Sequence, residues 1–127
     1  MWLTARRTLP SFKDIDSAIS LCTSVDLMVF RSYVVAASFH SRTDAIEAMK
    51  QLVAEVTAPS LDEEGCQIYH WSQGADDPTL FLLYMEWRDK ACFEAHIATP
   101  HVKHAEDRLK REKMLIDPAK EWHYYRL

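Results

Sequence analysis

The segment Thr79–Trp87 (Thr-Leu-Phe-Leu-Leu-Tyr-Met-Glu-Trp) constrains this chain more than any other. Its aromatic and branched content reads as a strand, with side chains alternating between two faces. Phe81, Leu83, Met85 and Trp87 then share one face, and Leu82 and Tyr84 the other, ahead of Glu86. A half-solvated strand would be apolar on one side only. This one belongs to a sheet that needs cover on both faces.

The surrounding elements say how one face is covered. Tyr33 to Phe39 reads as a first strand, and Ser41 with Asp44 as a capping box. The apolar positions Ile46, Met49, Leu52, Val53 and Val56 then predict a helix that ends at Pro59. Glu63-Glu64-Gly65 turns into a second strand, Cys66 to Trp71, and the turn formers from Ser72 to Pro78 lead into the third. Asp89 can cap a short helix. Thr99-Pro100 has the form of an N-cap followed by proline at the first helical position, opening a second piece that reaches about Arg111. Glu121 to Arg126 alternates like a last strand.

The order β-α-β-β-α-β is the ferredoxin-like plan, an antiparallel sheet with helices on one face. The helices leave the other sheet face bare, and soluble monomers rarely expose so large an apolar patch. The expected cover is a second copy, sheet against sheet, in a two-fold homodimer. Residues 1–32 stand apart from the domain at 33–127 as an extension, where Ile15, Ala18, Ile19 and Cys22 after Pro10-Ser11 are spaced for a short helix.

Composition removes several function classes. The 127 residues include only two glycines, Gly65 and Gly74, so neither G-x-G-x-x-G nor a G-x-x-x-x-G-K phosphate loop can be written. A net charge of -4 argues against nucleic acid as a partner. Cys22, Cys66 and Cys92 form no C-x-x-C pair and fit neither a disulfide framework nor a zinc knuckle. With no apolar run long enough to span a bilayer and no secretory h-region after Arg6-Arg7, the expectation is a cytoplasmic protein with no membrane partner.

Three short motifs in register carry a resemblance. Glu63-Glu64-Gly65-Cys66-Gln67-Ile68-Tyr69 is similar to the E-x-G-C-x-x-Y turn and strand of the antibiotic biosynthesis monooxygenase (ABM) superfamily. Trp87-Arg88-Asp89, followed by Phe93-Glu94-Ala95-His96 and Thr99-Pro100-His101, resembles its next block, a strand tryptophan before an E-x-H helix and a T-P-H. The resemblance covers about residues 33–127. It implies a dimeric α+β barrel with a pocket in each subunit between sheet and helices. It also implies one of several activities: cofactor-independent oxygenation of quinols or anthrones, haem degradation, isomerisation, or none.

Two departures narrow this range. The family often places glutamate two residues before the strand tryptophan, where this chain has Met85, with Glu86 on the opposite side of the strand. The haem-degrading branch typically uses an asparagine on the first strand, and this chain contains no asparagine.

His96 is the expected catalytic base. An imidazole titrates close enough to neutrality to act as one, and Phe93 three positions earlier sets both side chains on one helix face. Tyr69, Trp71, Trp87 and Phe93 are expected to wall a ring-shaped substrate, with His101 at the rim. Cofactor-free oxygenation needs little beyond a base and a dry pocket, because a deprotonated hydroquinone can itself reduce dioxygen. The expectation is therefore a small aromatic molecule and dioxygen as partners, without cofactor or metal. His101 and His104, one helical turn apart, form a H-x4-H-x2-H series with His96, but Pro100 interrupts it. His40, His70 and His123 are assigned to surface or interface positions, and Tyr124 and Tyr125 to opposite sheet faces. A member that binds a small ligand without turnover is the alternative, and haem binding a further one.

Overall fold

The computed structural model describes residues 31–127. The helix expected around Ile15 to Cys22 lies outside them. Within them the chain runs β1 (Tyr33–His40), a 3-10 turn (Thr43–Ala45), α1 (Ile46–Leu61), β2 (Cys66–Gln73), β3 (Leu80–Trp87), α2 (Lys90–Ile97), α3 (Pro100–Arg111) and β4 (Lys120–Tyr125). The sheet order is β2-β3-β1-β4, and every neighbouring pair is antiparallel. This is the ferredoxin-like arrangement, with the helices packed on one face.

The alternation on β3 holds as read. Phe81, Leu83, Met85 and Trp87 are buried beneath the helices together with Val35, Ala37, Met49, Leu52 and Val56. On the other face Leu80, Leu82 and Tyr84 are exposed, flanked by Ile68 on β2 and by Trp122 and Tyr124 on β4. Glu86 lies on this outer face, where Arg126 donates to it at 2.7 Å and the Tyr84 hydroxyl at 3.2 Å. Met85 stands on the inner face, so this carboxylate does not replace the family glutamate.

Three local details differ from the sequence reading. Pro59 does not end α1, which continues to Leu61. A proline in the last turn removes one backbone donor, and the fully buried Ser60 holds that turn against the protein nonetheless. The capping box does not form either: Ser41 stays in a bridge to Leu115 with its N–H on the Thr79 carbonyl, and Asp44 pairs with Arg42. Thr99 occupies the N-cap of α3, but its hydroxyl donates backward to the His96 carbonyl at 2.6 Å instead of capping. Asp89 does cap α2, accepting from the Cys92 N–H at 2.8 Å.

Helix α3 buries none of its residues fully. It packs on α1 and α2, and Arg108 ties it to α1 through Glu55 at 3.3 Å. Its apolar side, Val102, Ala105 and Leu109, faces a void above the sheet rather than a filled core.

Candidate functional site

The void is a cavity of about 880 Å³ between the inner sheet face, α1, α3 and the segment from Lys113 to Ala119. Its volume falls within the range of small-molecule sites, roughly 300 to 1,000 Å³. Tyr69, Trp71, Phe93 and His96 all line it, together with Leu83 and Met85. Tyr69 and Trp71 arrive by the alternation of β2. Phe93 and His96 arrive by the three-residue spacing on α2, whose buried side is Cys92, Phe93 and His96.

One expected wall residue, Trp87, and the expected rim residue, His101, do not line the cavity. Trp87 lies on the correct face but is completely buried and does not border the cavity. The His96 ring covers it, with centroids 4.6 Å apart and planes tilted by 34°. His101, at the start of α3, turns toward α2, where its Nε2 lies 2.9 Å from Glu63 Oε2.

Glu63 is the residue that sequence reasoning passed over. Its Oε2 also lies 2.6 Å from His96 Nδ1. Its position follows from the turn after α1. Gly65 has φ +81°, and a Cβ there would collide with Cys92 Sγ and come within 2.8 Å of Cys92 Cβ. Only glycine lets the turn press this closely on α2. The Arg88 N–H donates to the Gly65 carbonyl at 2.8 Å and locks that approach. The E-x-G-C motif is thus a glutamate carried by a turn that needs glycine, and this was the available signal.

A carboxylate can only accept, so His96 Nδ1 and His101 Nε2 must each carry a proton toward Glu63. The Thr99 hydroxyl, already donating to the His96 carbonyl, serves as a second acceptor for His101 Nε2 at 3.3 Å. His96 Nε2 is then left with a lone pair and no protein partner among the described residues. Burial pushes the His96 pKa below its ordinary 6.5, with a smaller push the same way from His101, while the nearby carboxylates of Glu63 and Glu106 oppose both. The ring is therefore a neutral imidazole near neutrality, with its tautomer fixed.

Glu63, His96 and His101 also make a possible metal set, with one ligand atom from each within 4.8 Å of the others. Two histidines and a carboxylate suit a divalent transition metal. The geometry here is that of hydrogen bonds: ligands on one tetrahedral zinc ion stand about 3.3 Å apart for bonds of the usual length, against 2.6 and 2.9 Å from Glu63 to the two nitrogens. His104, the third member of the expected histidine series, is exposed on α3 and is not part of this cluster. On the cavity wall, Trp71 Nε1 is buried beside the Tyr69 hydroxyl.

His40 pairs with Asp117. His70 is exposed on the outer face of β2. His123 is on the inner face, 2.7 Å from the Tyr33 hydroxyl.

Comparison with known proteins agrees with this architecture. Residues 32–108 match the sequence profile of the family described as antibiotic biosynthesis monooxygenase. Among characterised proteins, Rv0793 of Mycobacterium tuberculosis, a candidate monooxygenase, is 31% identical over 67 residues. That match covers 53% of this chain and 65% of the relative, just under two thirds of its length. Among solved structures, a protein of Nitrosomonas europaea superposes with a TM-score of 0.71 at 29% identity, covering 75% of this chain and 98% of its own. PA3566 of Pseudomonas aeruginosa gives 0.70 at 29% identity, covering 76% and 95%.

Proposed function

Because the chain belongs to the antibiotic biosynthesis monooxygenase family, we propose that it oxygenates a small aromatic, quinol-like molecule with dioxygen, using His96 as the base. The observation that carries this reading is the contact between Glu63 Oε2 and His96 Nδ1 at 2.6 Å, on a buried histidine that borders an apolar cavity. The arrangement is that of a general base oriented by a carboxylate.

The steps follow from the site. A hydroquinone seated between Tyr69, Trp71 and Phe93 gives its phenolic proton to His96 Nε2. The imidazolium that forms is stabilised by Glu63 on the far side of the ring. The phenolate transfers one electron to dioxygen, giving a substrate radical beside superoxide, and the two couple at a ring carbon to form a C–O bond. The O–O bond of this hydroperoxide then breaks as the ring C–H proton leaves. One oxygen atom stays on the ring, and the other departs as water with the protons released from the substrate. Hydroquinone plus dioxygen becomes hydroxyquinone plus water, with the substrate as the only reductant and no flavin or metal consumed. The apolar cavity favours electron transfer from a desolvated anion and keeps water from the radical pair.

The working unit in this reading is a homodimer through the outer sheet faces. The support is the patch of Leu82, Tyr84, Ile68, Trp122 and Tyr124, with Leu82 46% exposed and Tyr124 53%. Soluble chains rarely leave such a patch uncovered.

Reaction with heavy-isotope dioxygen, followed by mass spectrometry of the product, tests the proposal. One labelled oxygen atom in the hydroxyquinone, with labelled water as co-product, is the expected result. Label absent from the organic product would leave a ligand-binding protein without oxygenase activity.

A further inference from the structure

The cavity is too long for a single ring. It reaches from His96, beside the start of α3, to Lys110 and Lys113 at the helix's other end. His101, which shares Glu63 with His96, is nine residues before Lys110, about 14 Å along a helix axis. A lone hydroquinone at His96 would leave the lysine end unfilled.

The charges at that end are not equivalent. Five charged residues line the cavity: Glu106, Lys110, Lys113, Asp117 and Glu121. Glu106 has Lys103 at 4.0 Å, while Asp117 and Glu121 have imidazole neighbours, His40 at 3.4 Å and His123 at 3.3 Å, that offset their charge only when protonated. The helix's own arginines are likewise engaged, Arg108 by Glu112 and Glu55 and Arg111 by Asp107. Lys110 and Lys113 have no carboxylate partner among the described residues.

Lys113 also occupies a backbone position that disfavours it. Its φ is +47°, the only non-glycine positive value among the described residues. The N–H of Lys113 bonds to the Lys110 carbonyl at 3.2 Å and that of Met114 to the Leu109 carbonyl at 3.1 Å, closing α3 in a Schellman turn. Glycine is the usual residue there, because a Cβ disfavours the left-handed backbone. The structure thus keeps an exposed lysine at the cavity edge where the backbone favours a residue without a side chain.

We propose that the cavity is built for an elongated aromatic acid, its ring at His96 and its carboxylate on Lys110 and Lys113, the two joined by an apolar stretch along Val102, Ala105 and Leu109. The inference rests on the ring-binding role of the His96 end proposed above, and it adds the substrate's charge and length.

The test is equilibrium binding, measured anaerobically by quenching of tryptophan fluorescence. The probes are a hydroquinone joined through an octamethylene chain to a carboxylate and the methyl ester of the same molecule. The full-length protein should bind the acid about tenfold more tightly than the ester, the scale of one charge-assisted contact. Added salt should narrow that gap. The double variant Lys110→Gln/Lys113→Gln should lose the preference and keep the ester affinity. Equal affinity for acid and ester in the unmodified protein would overturn the inference, as would a preference that survives in the double variant. Oxygen uptake separates this from the functional reading. A lysine-dependent preference without turnover keeps the ligand class and removes the oxygenase. Turnover without charge preference removes only the ligand class.

Discussion

Glu63 Oε2 meets His96 Nδ1 at 2.6 Å across 33 positions of sequence, and the same oxygen holds His101 Nε2 at 2.9 Å. One carboxylate therefore fixes a buried imidazole and anchors the first turn of α3 above it. The imidazole and the cavity roof are positioned by the same residue, so a change at Glu63 is felt in both.

The pH dependence of turnover follows from the direction of the His96 shift. The proposed base must be neutral to accept a proton, so kcat/KM should rise with pH through an ionisation below the ordinary 6.5 and then level off. Glu63 stabilises the imidazolium, so Glu63→Gln should move this ascending limb to still lower pH. The amide oxygen can still accept from Nδ1–H and keep the tautomer, and the loss of rate should be about tenfold, well short of the 10² to 10⁴ typical of losing the base itself. A rate-against-pH profile of both proteins checks this.

Stability carries the same sign. His96 takes up a proton less readily in the folded protein than in the unfolded chain, so its contribution is fully present above 6.5 and is lost as pH falls from there toward the lowered folded value. Thermal melts should show Tm falling across that window, with a shallower fall in His96→Gln.

Much of this was legible in the sequence, though unevenly. Period-two alternation on β3 and the spacing of Phe93 and His96 gave element types and faces correctly. Alternation does not give depth: Trp87 and Met85 share a face, yet His96 covers Trp87 and leaves Met85 on the cavity wall. Local signals such as Ser41 with Asp44, or Pro59, lost to tertiary contacts that bring in Leu115, Thr79 and the buried Ser60 side chain. Glu63 was missed because its partners come from two other elements, and only the glycine after it hinted at a turn pressed against a helix.

Gly65→Ala tests that turn. Its φ of +81° and the clash with Cys92 should cost about 1 to 3 kcal/mol. Urea unfolding should show a lower midpoint with an unchanged slope. Turnover in the remaining folded protein should fall as well, because Glu63 rides on the same turn.

A charge at the centre of the outer sheet face tests the dimer. Leu82→Glu places a carboxylate on an exposed position, and a two-fold axis would bring two such carboxylates toward each other. Sedimentation velocity should show a dimer for the unmodified chain and a monomer for the variant. An unmodified chain that sediments as a monomer contradicts the sheet-to-sheet arrangement.

Chelation distinguishes proton chemistry from metal chemistry at Glu63, His96 and His101. Dialysis against EDTA should leave oxygen uptake unchanged, because the contacts of 2.6 and 2.9 Å are hydrogen-bond lengths. Added zinc should inhibit by replacing the two shared protons, and EDTA should reverse it. Activity lost on chelation and restored by one divalent metal would assign the cluster to that metal.

The most direct measurement is the initial rate of dioxygen consumption with a hydroquinone, compared between the unmodified protein and His96→Gln at equal folded concentration. A base oriented by Glu63 predicts uptake well above the substrate's own autoxidation and a loss of about 10² to 10⁴ in the variant. Equal rates in the two proteins, or no uptake above autoxidation in either, would contradict it.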